Sequence, residues 1–266
     1  GCGGGGEADA PVVELTAESF QLGGAPWGVA VDGEQLWVSD TSRGSVIRLD
    51  ARTGRPADTV ATGAPDPRDA GLTIGGDRLW VANLGGTLGV VDRATAAPLG
   101  RVAVGPGEPA AVAVVGGTAW VPLHGPGGAL VAVDTDRLEV TQRVELPESA
   151  FAVAIGGDMV WVAGLEGRVF AVDAATGTVE RTIELGGAPR GIALAGGSVW
   201  VTLRDARQVV RIDPTTGDVT SRTATEGQPW PVAAGGRAVW VAELEGRLLR
   251  IDIDSQTVTA SARIGP

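Results

Sequence analysis

Three scarce residues limit the chemistry open to this 266-residue chain: one histidine, His124, one cysteine, Cys2, and one asparagine, Asn83. A lone imidazole cannot supply a His-pair metal centre, and a lone thiol forms neither an internal disulfide nor a thiolate metal site. Ser-His or Cys-His nucleophilic catalysis is not expected from so small a set. The sequence contains no G-x-S-x-G elbow and no protein-kinase catalytic signature. No catalytic set, no metal site and no cofactor are therefore expected. Recognition is the chemistry that remains. Trp27, Phe151 and Trp230 are large aromatics in a chain with eight Trp, three Phe and no Tyr. Arg68, Arg190, Asp40, Asn83, His124 and Glu243, with Asp69, Glu166 and Arg204, supply charge and hydrogen bonding. Aromatics edged by mixed charge have the composition of a ligand or peptide site.

An internal repeat positions these side chains. A hydrophobic-Trp-Val unit occurs around Trp37, Trp80, Trp120, Trp161, Trp200 and Trp240, at spacings of 43, 40, 41, 39 and 40 residues. Four residues before each Trp stands a glycine (Gly33, Gly76, Gly116, Gly157, Gly196 and Gly236). Twelve to fourteen residues after each stands an aspartate (Asp50, Asp92, Asp134, Asp173, Asp213 and Asp252). Each unit reads as four short strands, with Gly closing the first hairpin and an Asp-capped turn closing the last. Six such units of about 40 residues predict an all-β chain, a six-bladed β-propeller of four-stranded antiparallel blades. The blades fall at about 24–63, 64–105, 106–147, 148–186, 187–226 and 227–265. Within this grammar the Asp50 series reads as turn caps rather than cation ligands.

Candidate site residues fall where the repeat varies. Ten residues before each Trp, at the mouth of the innermost strand, stand Trp27, Ala70, Ala110, Phe151, Arg190 and Trp230. The loops after the second strands open on the same face and carry Asp40, Asn83, His124, Glu166, Arg204 and Glu243, so the two sets together describe an aromatic-lipped funnel. Competing readings make Trp27 and Trp230 plugs of the channel, Arg68 and Arg190 solvated rim residues, and His124 a surface loop residue. At the termini, Val12 to Leu22 and Thr257 to Ile264 both read as a fourth strand for one blade. Either the N-terminal strand is an extra outer strand of blade six, which is the favoured arrangement, or it displaces the C-terminal one.

Charge narrows the partners. Acidic residues outnumber basic ones 32 to 21, the net charge is −11, and every basic residue is Arg. Nucleic acid and anionic membrane surfaces repel such a chain. A composition of 44% hydrophobic and 20% charged residues is that of a globular domain, and no apolar run approaches the roughly 18 residues of a membrane span. Residues 1–11 form a Gly-rich linker ahead of a single propeller domain, 12–266. Gly1-Cys2-Gly3-Gly4-Gly5-Gly6 satisfies G-x-G-x-x-G, but with no strand before it or helix after it the match carries no mechanism.

The hydrophobic-Trp-Val strands and the turns Asp50-Ala51-Arg52-Thr53-Gly54, Asp173-Ala174-Ala175-Thr176-Gly177 and Asp213 to Gly217 resemble NHL/YVTN-type propellers, including YncE-like proteins and streptogramin-lyase repeats. The resemblance covers residues 24–265 and concerns architecture. Gly-Cys before a Gly-rich acidic spacer resembles a bacterial lipoprotein junction, with Cys2 as the lipidated residue. The alternative is a free cysteine in a linker, such as one joining a membrane helix to its ectodomain. The all-Arg usage resembles actinobacterial coding, where such propellers occur as lipoproteins and as sensor ectodomains of receptor-like kinases. These resemblances imply a monomeric extracytoplasmic module that binds a small molecule, peptide or protein, anchored if at all through Cys2 at the outer face of the cytoplasmic membrane. The alternative that they imply is a divalent-metal lyase or lactonase using Asp40, Glu243 and His124.

Overall fold

The computed structural model describes residues 13–14, 22–63, 66 and 68–264. Every regular element among them is a β-strand, and the strands form six antiparallel sheets, the blades of a six-bladed β-propeller. Blade one runs Pro26–Asp32, Gln35–Asp40, Ser45–Asp50 and Pro56–Ala61, and its sheet order follows the chain. Blades two, four and five repeat that order. In blade three the inner strand is broken into Glu108–Pro109 and Ala113–Val115, both paired to Thr118–His124. In blade six Val258–Arg263 is the fourth strand, and Val13–Glu14 adds parallel outside it, with Val13 opposite Ala260 and Glu14 opposite Ser261. The rest of the expected Val12 to Leu22 strand lies outside the described residues, as does Cys2, apart from Leu22, which is in no strand.

The described residues form two compact units, one within Phe20–Ile192 and one within Ala193–Pro266 that also takes in Val13–Glu14. In the first, Trp37, Trp80, Trp120 and Trp161 are all buried. Register explains the small residue seven positions before each of them. Ala30 pairs with Trp37, Thr73 with Trp80, Ala113 with Trp120 and Ala154 with Trp161, so a small inner-strand side chain leaves room for the indole opposite. Full burial of such a ring contributes about 4–6 kcal/mol by area, as an upper bound. Arg48, across from Trp37 on the third strand, covers that ring at 5.4 Å from its centroid.

Glycine nine positions before Trp has a different cause. A Cβ on Gly28 would lie 2.9 Å from the Ala70 carbonyl oxygen, because the inner strands of blades one and two approach backbone to backbone. In the second unit Trp200 is buried within a cluster of Val209, Val239, Val241, Leu249 and Ile251. Trp240 is only half-buried. Its inner strand carries the exposed small residues Ala233, Ala234 and Gly235, which cover little of the indole.

The six turn aspartates cap their turns as their spacing indicates. Asp173 Oδ1 accepts from Ala175 N at 3.0 Å, Thr176 N at 2.8 Å and Thr176 Oγ1 at 2.9 Å. Asp50, Asp92, Asp134, Asp213 and Asp252 accept the corresponding backbone donors. All six carboxyls are held below the ordinary Asp value by these hydrogen bonds.

Candidate ligand-binding face

A repeated bulge aims the variable side chains. In blade one Pro26 pairs with Asp40 and Val29 with Val38, so Trp27 and Gly28 together face the single residue Ser39. The same shift occurs at Ala70 and Gly71, at Phe151, and at Trp230 and Pro231. A bulge releases residues from the ladder and redirects them. Ser39 makes use of the released groups: its Oγ accepts Gly28 N–H at 2.9 Å and donates to the Ala70 carbonyl at 2.5 Å. Thr202 Oγ1 donates in the same way to the Trp230 carbonyl at 2.6 Å.

Within Phe20–Ile192 the structure brings three of the expected site residues together. His124, at the end of the second strand of blade three, meets Phe151 edge to face, with centroids 6.2 Å apart and planes at 88°. The Arg190 guanidinium lies 5.6 Å from the same phenyl centroid. Ser149, which no motif marks, adds a hydroxyl whose Oγ is 2.6 Å from His124 Nδ1 and accepts Gly125 N–H at 3.0 Å. Trp27 stands apart from this group in blade one, 48% exposed, and Val29 and Val31 follow it on the same exposed side of the strand. In the other unit the Arg204 guanidinium lies 5.8 Å from the Trp230 ring and Arg204 Nε donates to Asp205 at 2.7 Å.

Other expected site residues are committed to loop architecture. Asp40 is buried and accepts from Ala25 N, Ser42 N and Ser42 Oγ at 3.1, 2.9 and 2.6 Å, with Arg43 at 3.5 Å. Burial opposes its ionisation, but these donors together keep its carboxyl below the ordinary value. Asn83 is buried too, donating to the Asp66 carbonyl and Asp69 and accepting from Gly85 N. Asp69 also accepts from Thr62 Oγ1 at 2.9 Å, and burial pushes its carboxyl above the ordinary value. Glu243 accepts Gly227 N–H at 2.7 Å and faces Arg247 at 3.7 Å. Arg68 pairs with Asp66 at 2.7 Å and Glu108 at 3.3 Å on the exposed rim. Glu166 is exposed, and its backbone N–H donates to Glu148.

Glu148 itself is buried and was not anticipated. It accepts from the backbone of Glu166 and Arg168 and pairs with the Arg168 guanidinium at 3.2 Å. One signal for it was present in the sequence. Three residues after Trp, where blades one, two and six carry Asp40, Asn83 and Glu243, blade four has Gly164, and a Cβ there would stand 2.0 Å from Glu148 Oε1. The tie is made from the bend that precedes the inner strand of the same blade. Among the described residues no group of three or more His, Cys, Asp or Glu side chains is arranged to hold a metal ion.

No protein-family model and no curated protein sequence matches the chain. Solved structures do. Hydrazine synthase of Kuenenia stuttgartiensis superposes with a TM-score of 0.77 at 20% identity, over 92% of this chain and 81% of that one. The computationally designed Ika8 protein superposes with a TM-score of 0.72 at 14% identity, over 88% and 72%. At such identities the likeness concerns the fold alone.

Proposed function

We propose that the chain is a binding module that uses the aromatic side chains at the starts of its inner strands. The observation that carries this reading is the set of aromatic rings released there by the bulges, each accessible or stacked with a cation: Trp27 exposed, Phe151 between His124 and Arg190, and Trp230 beside Arg204. Rigid aromatic surface with positive charge beside it favours a small molecule or peptide that bears an aromatic or anionic group. The net charge of −11 argues against nucleic acid and anionic lipid as partners. The metal lyase or lactonase reading has little support, because one oxygen each of Asp40 and Glu243 is taken by loop N–H groups and the other faces an Arg side chain at 3.5 and 3.7 Å.

The module works as a monomer outside the cytoplasm, as a lipoprotein or sensor ectodomain, and Cys2 is its point of attachment in the first case. Palmitate incorporation into the gene product, lost in Cys2→Ser, is the expected sign of that anchor; equal labelling of the variant would remove it. The binding reading is tested with a fragment panel of benzoate, indole-3-acetate and short aromatic peptides. Trp27→Ala, Trp230→Ala and Phe151→Ala should each weaken the hits about tenfold or more, in line with an aromatic hot spot. Unchanged affinity in all three variants would contradict it.

A further inference from the structure

The only histidine of the chain is in contact with a serine hydroxyl. Ser149 Oγ lies 2.6 Å from His124 Nδ1, Gly125 N–H points at the same oxygen from 3.0 Å, and all three residues are partly open to solvent. The geometry points to Ser149 as a nucleophile that His124 activates for acyl transfer from carboxylic esters, an activity beyond the binding role.

A serine hydroxyl attacks poorly while it keeps its proton, and a base in hydrogen-bond contact removes that proton as the new bond forms. With the imidazole proton on Nε2, Oγ–H donates to Nδ1, and Gly125 N–H holds Oγ through one lone pair, leaving the other to attack. The base is also held in place. Phe151 meets the imidazole at 88°, and Arg190 covers Phe151. The comparison with the other blades sharpens the inference. Asp40, Asn83 and Glu243 hold the corresponding loops as buried acceptors or amides, whereas this blade places a basic ring and a partly exposed hydroxyl there. Glu148, next in sequence to Ser149, is bound to Arg168 and two backbone N–H groups.

In the reaction Oγ bonds to the ester carbonyl carbon while its proton passes to Nδ1. The carbon–oxygen bond to the leaving alkoxide then breaks, and that alkoxide takes the proton from His124. Water adds to the acyl-serine by the same proton path, releasing the carboxylic acid and restoring Ser149. No oxidant, metal or further reactant enters the balance.

The test treats the intact chain with an aryl fluorophosphonate at neutral pH, forming an Oγ–P bond as P–F breaks. One adduct at Ser149 is expected, located by peptide mass spectrometry, absent in Ser149→Ala and formed at least about tenfold more slowly in His124→Gln. Because Ser149→Ala removes the tie to Gly125, Ser149→Cys provides a second reading. Its introduced thiol should react with iodoacetamide at least about tenfold faster than N-acetylcysteine, and lose that advantage when His124→Gln is added. A folded wild-type chain with no adduct at Ser149, or an adduct rate unaffected by His124→Gln, overturns the assignment and leaves a structural loop tie. The fragment-binding reading depends on Trp27, Trp230 and Phe151, so each idea can fail without the other.

Discussion

A Cβ placed on Gly71 would stand 2.5 Å from the Ala110 carbonyl oxygen and 2.9 Å from Ala111 Cα, both backbone atoms of the next blade. The Gly71 N–H already donates to that carbonyl at 3.0 Å, so neither strand can yield without losing the bond. Gly71→Ala should cost about 1–3 kcal/mol, the usual range for overpacking, measured as a lower denaturant midpoint at unchanged slope. At the same scale, the turn aspartates give stability a sign with pH. Their folded pKa values lie below the ordinary Asp value of about 3.8, which approximates the unfolded chain. Each therefore contributes stability that is present above that value and is lost as pH falls through the lower folded one. Melting temperature should drop on acidification below about pH 4, and Asp173→Asn should flatten that limb. Asp69, raised by burial, contributes oppositely: its share is present at low pH and is lost as pH rises through its folded pKa.

At the scale of the strand and turn, the last hairpin of each blade calls for a left-handed residue four positions after its aspartate. Gly54, Gly177 and Gly217 supply it, but Ala96, Leu138 and Gln256 take the same conformation with φ of 59°, 56° and 61°. Ala96 and Leu138 repay the strain by packing against the core. Gln256 belongs to neither cluster, and its backbone carbonyl, which accepts from Thr223, would survive substitution. Gln256→Gly should therefore stabilise by about 0.5–1 kcal/mol, the left-handed penalty less the extra chain entropy, as read in thermal or denaturant unfolding.

The turns and the buried indoles were legible because their grammar is local: Asp caps donors two and three residues on, and Trp pairs with a small residue seven before it. The ties at Glu148 and Ser149 were not. They join residues 18 to 25 positions apart across two loops, and nothing in the spacing of a lone Ser or Glu announces its partner. Asp40, Asn83 and Glu243 were legible as polar positions but not as buried strand ends, because burial depends on the neighbouring loop that folds over them.

For the molecule as a whole, six blades account for six tryptophans and leave Trp27 and Trp230 over. That division provides the most direct measurement. The indole N–H signals of all eight tryptophans should be followed in 15N-labelled protein while benzoate, indole-3-acetate and aromatic peptides are added. If the aromatics at the strand starts bind the ligand, the perturbations will fall on Trp27, on Trp230 or on both, and the buried Trp37, Trp80, Trp120, Trp161 and Trp200 will stay still. Perturbations confined to the core indoles, or hits that bind while Trp27 and Trp230 do not move, would contradict the account.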